Sequence, residues 1–330
     1  MLKCLKRISA ITMMLVSVTS VLYAASQDKY SIPEPYKSEE VEYLKKYPDL
    51  QKVMDYMIET EEKVNKKPTN NILHNRICTT LVYEMAKTDK LNKKDTRLAI
   101  AGDLLHNICK ADKVNVMTKP EMVTAVGDVV KDLRKHGLLK GSPEFWTNTE
   151  LYKNPKIGNN LGLMHHLSGA YVAGKFLREN GFKPKEVRRL EAAIIEHSTG
   201  YWYFRSSINQ AVGNKDGWKV VYPDPENTLS KYIHDADLVS QFVPASVVPE
   251  GSKWRVLAIN RWGAKNKVEE GQIVYYVFDR LYGEARTPIG KVMAKEKWEQ
   301  IAPQLVELMG LKPGEDPIKV LGVPKIFAEQ

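Results

Sequence analysis

The chain contains seven histidines, at positions 74, 106, 136, 165, 166, 197 and 234. Most fall inside or at the ends of segments with helical periodicity. His74 opens the run Leu73, Ile77, Leu81. His106 lies near the end of a predicted helix over Asp95–Cys109, and His166 begins one over His166–Leu177. His197 ends one over Pro184–His197. Downstream, His234-Asp235-Ala236-Asp237 lies in a predicted helix over Leu229–Phe242. Imidazole nitrogens and carboxylate oxygens suit divalent zinc, iron or manganese. Ligands on separate packed helices can converge inside a bundle. Two such ions held roughly 3.5–4 Å apart activate a hydroxide and clamp the oxygens of a phosphoryl group.

The elements that would position these side chains are helices. The apolar pattern repeats at helical spacing through most of the chain, including Tyr275–Leu281 and Gly290–Met309. Ser38, followed by Glu39 and Glu40, has the form of a capped helix start, and Lys67-Pro68 stops that first pattern. Only Lys219–Tyr222 has strand character. It falls in an irregular, aromatic-rich stretch from Thr199 to Asn227 that could wall a pocket. The expected class is all-α, a helical bundle.

At 330 residues, 43% hydrophobic and 27% charged, the composition excludes a collagen-like or wholly disordered chain. Lys3, Lys6 and Arg7 precede an uncharged stretch from Ile8 to Leu22 and then Ala24-Ala25. This pattern predicts a secretory signal peptide over residues 1–25, the alternative being an uncleaved anchor. The expected product is exported, to a periplasm or outside the cell, with no stable membrane span after cleavage. Removing three positive charges from the +9 of the whole chain leaves +6, too weak a balance to imply nucleic-acid binding. Residues 26–69 read as a leader and N-terminal helix, 70–245 as the core, and 246–330 as closing helices.

Over roughly residues 70–300 the sequence resembles the HD-domain metal-dependent phosphohydrolases. The residues that carry the resemblance are His74, His106-Asn107 and Ala236-Asp237-Leu238. The segments from His166-Leu167-Ser168-Gly169 and His197-Ser198-Thr199-Gly200 resemble the bacterial HD-domain diadenosine tetraphosphate hydrolases, in which two extra histidines complete a dinuclear site. Lys110 matches the lysine that follows the His-Asp pair. Phe278–Leu281 and Thr287–Ala294 resemble the closing helices of small members. The resemblance implies metal ligation by His74, His106, Asn107, His166, His197 and Asp237, with one or two ions of iron, manganese or zinc. It implies a small phosphorylated substrate and a phosphate contact at Lys110, with Arg205 a weaker candidate. Lys110 could instead cap its helix.

One residue departs from that pattern. Asn107 stands where the family has the bridging aspartate, so two dications would share one fewer negative charge. One strong and one weakened metal position is the expectation. Asp103, one turn before His106, is a possible substitute carboxylate. His165 is expected in a supporting or surface position, and His136 at a helix C-terminus. His234-Asp235 spells the motif without the ligands that should follow it. Tyr201, Trp202, Tyr203 and Phe204 either stack a base or pack their loop onto the bundle.

Cys78 and Cys109, the two cysteines of the mature chain, should lie about 10 Å apart if their helices run antiparallel with the histidines level. Two reduced, buried thiols are therefore expected. Two functions follow: hydrolysis of a nucleotide or other phosphate ester through a metal-activated hydroxide, or a degenerate relative that binds metal or a phosphorylated ligand without turnover. The oligomeric state is not legible.

Overall fold

A computed structural model describes residues 29–140, 152–199, 201, 224–225 and 227–328. Within them the chain is all-α, with no strand. The Lys219–Tyr222 segment, Arg205, the aromatics at 202–204 and the N-terminal residues 1–25 lie outside the described residues.

Two outer helices come first, α1 (Tyr36–Lys46) and α2 (Leu50–Val64). The helix start expected at Ser38 falls two residues earlier. Ser38 is not the cap, because its N–H and hydroxyl both donate to Glu34 of the preceding turn. Next come α3 (Pro68–Thr88) and α4 (Lys93–Leu105). Pro68 does more than stop the earlier pattern: it occupies the first turn of α3, where its missing N–H costs nothing. Asn92 caps α4 by accepting from the Asp95 N–H at 2.9 Å. Helices α5 (Pro120–Lys135), α6 (Pro155–Gly158), α7 (Leu161–Glu179) and α8 (Pro184–Glu196) follow.

The core ends with α9 (Thr228–Gln241), capped by Asn227. The closing elements are α10 (Pro244–Val247), α11 (Lys253–Trp262), α12 (Lys267–Leu281), α13 (Pro288–Leu308), α14 (Pro317–Leu321) and α15 (Lys325–Ala328).

Helices α3, α4, α7, α8 and α9 pack on one another and form the centre. Helix α4 is buried almost all round, from Leu98 to Leu105, as a core helix must be. Gly102 lets α8 and α9 close onto it: a Cβ there would lie 2.5 Å from Ile233 Cδ1 and 3.0 Å from Leu190 Cδ2. Helices α1 and α2 cover α3 and α4, and α5 covers α7 and α8. A buried Arg76–Glu40 ion pair, with Arg76 also donating to the Tyr30 carbonyl, ties α1 to α3.

The C-terminal helices reach the core through α13, which packs on α9. This joint explains His234-Asp235. The Asp235 carboxylate accepts from the N–H groups of Arg286 and Thr287 and from the Thr287 hydroxyl, at 2.6–3.0 Å. His234 Nδ1 donates to it at 2.9 Å. Asp235 thus anchors the start of α13.

Among the described residues no helix is long and apolar enough to cross a membrane.

Candidate metal centre

Five core helices bring their chemistry-bearing residues to one level. Helix α3 supplies His74 and Cys78, four residues apart and therefore on one face. Helix α4 stops at Leu105, four residues before the end expected at Cys109, and His106 is its C-cap. His197 is likewise the C-cap of α8. Both helices thus end at the cluster, and the partial negative charge of a helix C-terminus favours a cation there. Helix α7 contributes His165 and His166, and α9 contributes Asp237, Ser240 and Gln241.

Ligand atoms of His74, Cys78, His106 and Asp237 all lie within 4.8 Å of one another, a group able to hold a metal ion. His74 Nε2 is 3.2 Å from Asp237 Oδ1. Cys78 Sγ is 3.6 Å from His74 Nδ1. The His106 ring centroid lies 5.5 Å from that of His74 and 5.0 Å from that of His197. His197 Nε2 in turn is 3.2 Å from His165 Nε2. On one tetrahedral ion, two imidazole nitrogens would sit about 3.3 Å apart.

The opposite ring nitrogens decide which way these imidazoles can act. His106 Nδ1 donates to the Asp103 carbonyl at 2.5 Å, His165 Nδ1 to the Leu161 carbonyl at 3.0 Å, and His197 Nδ1 to the Ile194 carbonyl at 2.7 Å. A neutral imidazole carries one N–H, so each of the three keeps its lone pair on Nε2. Orienting a ligand through its second nitrogen in this way is usual for metal-bound histidine.

The electrostatics agree. Burial holds the His74 imidazole down to about 4, and His106 and His197 to about 3, so all three are neutral at ordinary pH. His165 and His166 are also pushed well down by burial. Burial alone would raise Asp237, but the His74 hydrogen bond, and after it the electrostatic influence of the His74, His106 and His197 rings, holds it well below the usual carboxylate range. Gln241 Nε2 donates to its Oδ1 at 2.8 Å and the Tyr201 hydroxyl to its Oδ2 at 3.1 Å.

Five residues take positions that the sequence left open. His165 is buried, not at the surface, and it is the histidine of α7 whose Nε2 meets His197. His166 is buried beside it, with ring centroids 6.0 Å apart. Neighbouring residues on a helix diverge by about 100°, so the two rings cannot share one direction. Asp103 lies behind His106, with Oδ1 3.6 Å from its Nδ1, opposite the lone pair; burial and the Asp237 charge raise its pKa well above the usual carboxylate range. Tyr201 is fully buried and its hydroxyl donates to the His234 carbonyl and to Asp237, which is a packing and orienting position. Asn107 turns its amide nitrogen to His106 Nε2 at 2.7 Å and to Asn75 Oδ1 at 3.2 Å.

Cys78 and Cys109 are free and buried, as expected. The sequence reading did not place Cys78 in the metal group. Its four-residue spacing from His74 was the available signal, used there only to exclude a disulfide. Lys253 was also missed. It lines, with His74 and Lys110, a cavity of ≈ 550 Å³ between α3, α9 and the start of α11. His136 caps α5, its Nδ1 donating to the Asp132 carbonyl at 2.8 Å.

No family model, no curated protein and no solved structure matches this chain.

Proposed function

We propose that this chain is an exported metal-dependent phosphohydrolase of the HD-domain type, acting on a nucleotide or other phosphate ester. The observation that carries the reading is the orientation of the imidazoles. Three buried Nε2 lone pairs, on His106, His165 and His197, lie beside His74, Cys78 and the ionised Asp237. Neutral donors and one carboxylate in a buried group suit a dication better than they suit one another.

His74, Cys78, His106 and Asp237 would hold the ion, and the His165–His197 pair is the candidate for a second. The thiolate of Cys78 favours zinc or iron over manganese. The chemistry such a cation supplies is Lewis acidity toward a phosphoryl oxygen and activation of water for in-line attack. The chain's own groups do the rest. Gln241 and Tyr201 fix both oxygens of Asp237. His74, the most exposed of the group with 18% of its side chain open, forms the edge that meets the cavity. Lys110, in the same cavity wall, is placed to neutralise a phosphate or leaving group.

A second reading rests on Asn107. Its amide nitrogen already occupies the His106 lone pair at 2.7 Å, where a cation would compete with it. That contact favours a protein that binds a phosphorylated ligand without turnover. Purified mature protein, loaded with zinc, iron or manganese and given a generic phosphodiester and a nucleotide panel, separates the two. Turnover that disappears in His106→Ala supports hydrolysis. Metal binding with no turnover, converted to turnover by Asn107→Asp, supports the second reading.

A further inference from the structure

The cavity beside His74 carries two lysines from distant parts of the chain, and the hydrolase reading assigns only one of them. Lys110 follows α4; Lys253 is the first residue of α11, in the C-terminal segment. Among the described residues neither forms an ion pair with a carboxylate. Lys253 is held by a neutral group instead: its Nζ donates to Gln241 Oε1 at 2.8 Å, and the same Gln241 amide donates to Asp237 Oδ1 at 2.8 Å. Lys253 is an exposed residue whose ammonium is tethered two hydrogen bonds from the metal group.

Two ammonium groups in one wall repel each other. Burial and then the Lys110 charge hold Lys253 down at about 8. Among the described residues, the carboxylates whose charge reaches the pair are already engaged: Asp237 by His74, Gln241 and Tyr201, and Glu61 by Asn65 and Asn71. Such an arrangement is stable when an anion sits between the cations. The remaining lining is split. Asn70, Asn71 and Ser240 are polar, whereas Leu73, Ile77 and Val243 form an apolar wall. The volume, ≈ 550 Å³, exceeds what a phosphate needs and falls in the range of small-molecule sites.

We infer that Lys110 and Lys253 form a two-cation cradle for the phosphate of an organic phosphate ester, with Leu73, Ile77 and Val243 receiving its apolar part. This rests on the phosphohydrolase reading for the nature of the ligand and adds to it a substrate-binding residue from the C-terminal helices. Those helices then have a role beyond packing: they carry half of the cradle.

The test is calorimetric titration of the full mature protein with inorganic phosphate, then with a phenyl phosphate ester, at matched ionic strength. Lys253→Gln and Lys110→Gln should each weaken phosphate binding about tenfold. Lys253→Arg should retain most of it, and bound metal should be unchanged in all three. Lys295→Gln, on the exposed face of α13, is the control and should bind as the parent does. Thermal melts confirm that the variants are folded, and rescue by Lys253→Arg separates lost charge from lost fold. Phosphate affinity unaltered in Lys253→Gln overturns the cradle. Phosphate binding lost in Lys253→Gln, in a protein that hydrolyses nothing, keeps the cradle and removes the hydrolase. Hydrolysis with an unchanged KM in Lys253→Gln does the reverse.

Discussion

His165 and His197 present their Nε2 atoms to each other at 3.2 Å, while each Nδ1 is committed to a main-chain carbonyl. Two lone pairs facing at that distance repel. A shared proton or a shared cation is what makes the arrangement favourable, and burial disfavours the proton. This relationship distinguishes the two adjacent histidines of α7. His165→Ala should lower zinc affinity at least tenfold, as removal of a metal-supporting imidazole does. His166→Ala should change it little. Competition titration with a chromophoric chelator measures both, and the reverse ranking would restore His166 as the ligand.

Cys78 belongs to the ligand group by distance, although burial, then the charges of Asp103 and Asp237, push its thiol well above its ordinary value. Only a cation makes the thiolate favourable there. Cobalt-substituted protein should show a near-ultraviolet sulfur-to-cobalt charge-transfer band. That band should vanish in Cys78→Ser and persist in Cys109→Ser. Its absence from the parent protein would exclude Cys78 as a ligand.

The neutral histidines give the metal-free protein a defined acid response. His74, His106 and His197 fall from the ordinary 6.5 to about 4, 3 and 3 in the fold. Between those limits the unfolded chain binds more protons than the folded one. Stability is therefore fully present above pH ~6.5 and is lost as pH falls toward 4. The depressed Asp237 adds loss in the same direction at still lower pH. Urea midpoints of the metal-stripped protein should decline from pH 6.5 to 4, less steeply than the imidazoles alone would give, because the raised Asp103 and Glu191 carboxyls bind protons in the fold over that range. A flat profile would mean that these imidazoles are solvated.

Gly290 sits where Asp235 anchors α13. A Cβ there would lie 2.3 Å from Asp235 Oδ2 and 2.7 Å from Thr287 Oγ1. Asp235 cannot swing away without releasing the Arg286 and Thr287 N–H groups. Gly290→Ala should destabilise the protein by about 2 kcal/mol, as overpacking does, and loosen the C-terminal helices from the core. Chemical denaturation measures the first and limited proteolysis the second. Parent-like behaviour in both would remove Asp235 as the joint.

Much of this was legible in the sequence, and the failures have physical causes. Helical periodicity located α4, α7, α8 and α9, because each buries an apolar face that repeats at 3.6 residues. Their ends were less legible. Helix α4 stops at Leu105 although the pattern continues to Cys109, since an apolar turn and an apolar helix look alike in sequence. His74, His106, His197 and Asp237 could be named because each stands in a recognisable local context. The choice between His165 and His166 could not be made, as it depends on the rotation of α7 about its axis. Cys78 was visible but was read only against Cys109. Lys253 had no local signal, because its partners Gln241 and Lys110 are brought to it by tertiary packing alone.

The most direct measurement is metal content. Mature protein purified without chelator, analysed by inductively coupled plasma mass spectrometry alongside a His106→Ala/Asp237→Ala variant, should contain at least one equivalent of zinc or iron per chain, and the variant should contain almost none. A folded parent protein that stays metal-free after incubation with zinc, iron(II) and manganese would contradict a metal centre at His74, Cys78, His106 and Asp237.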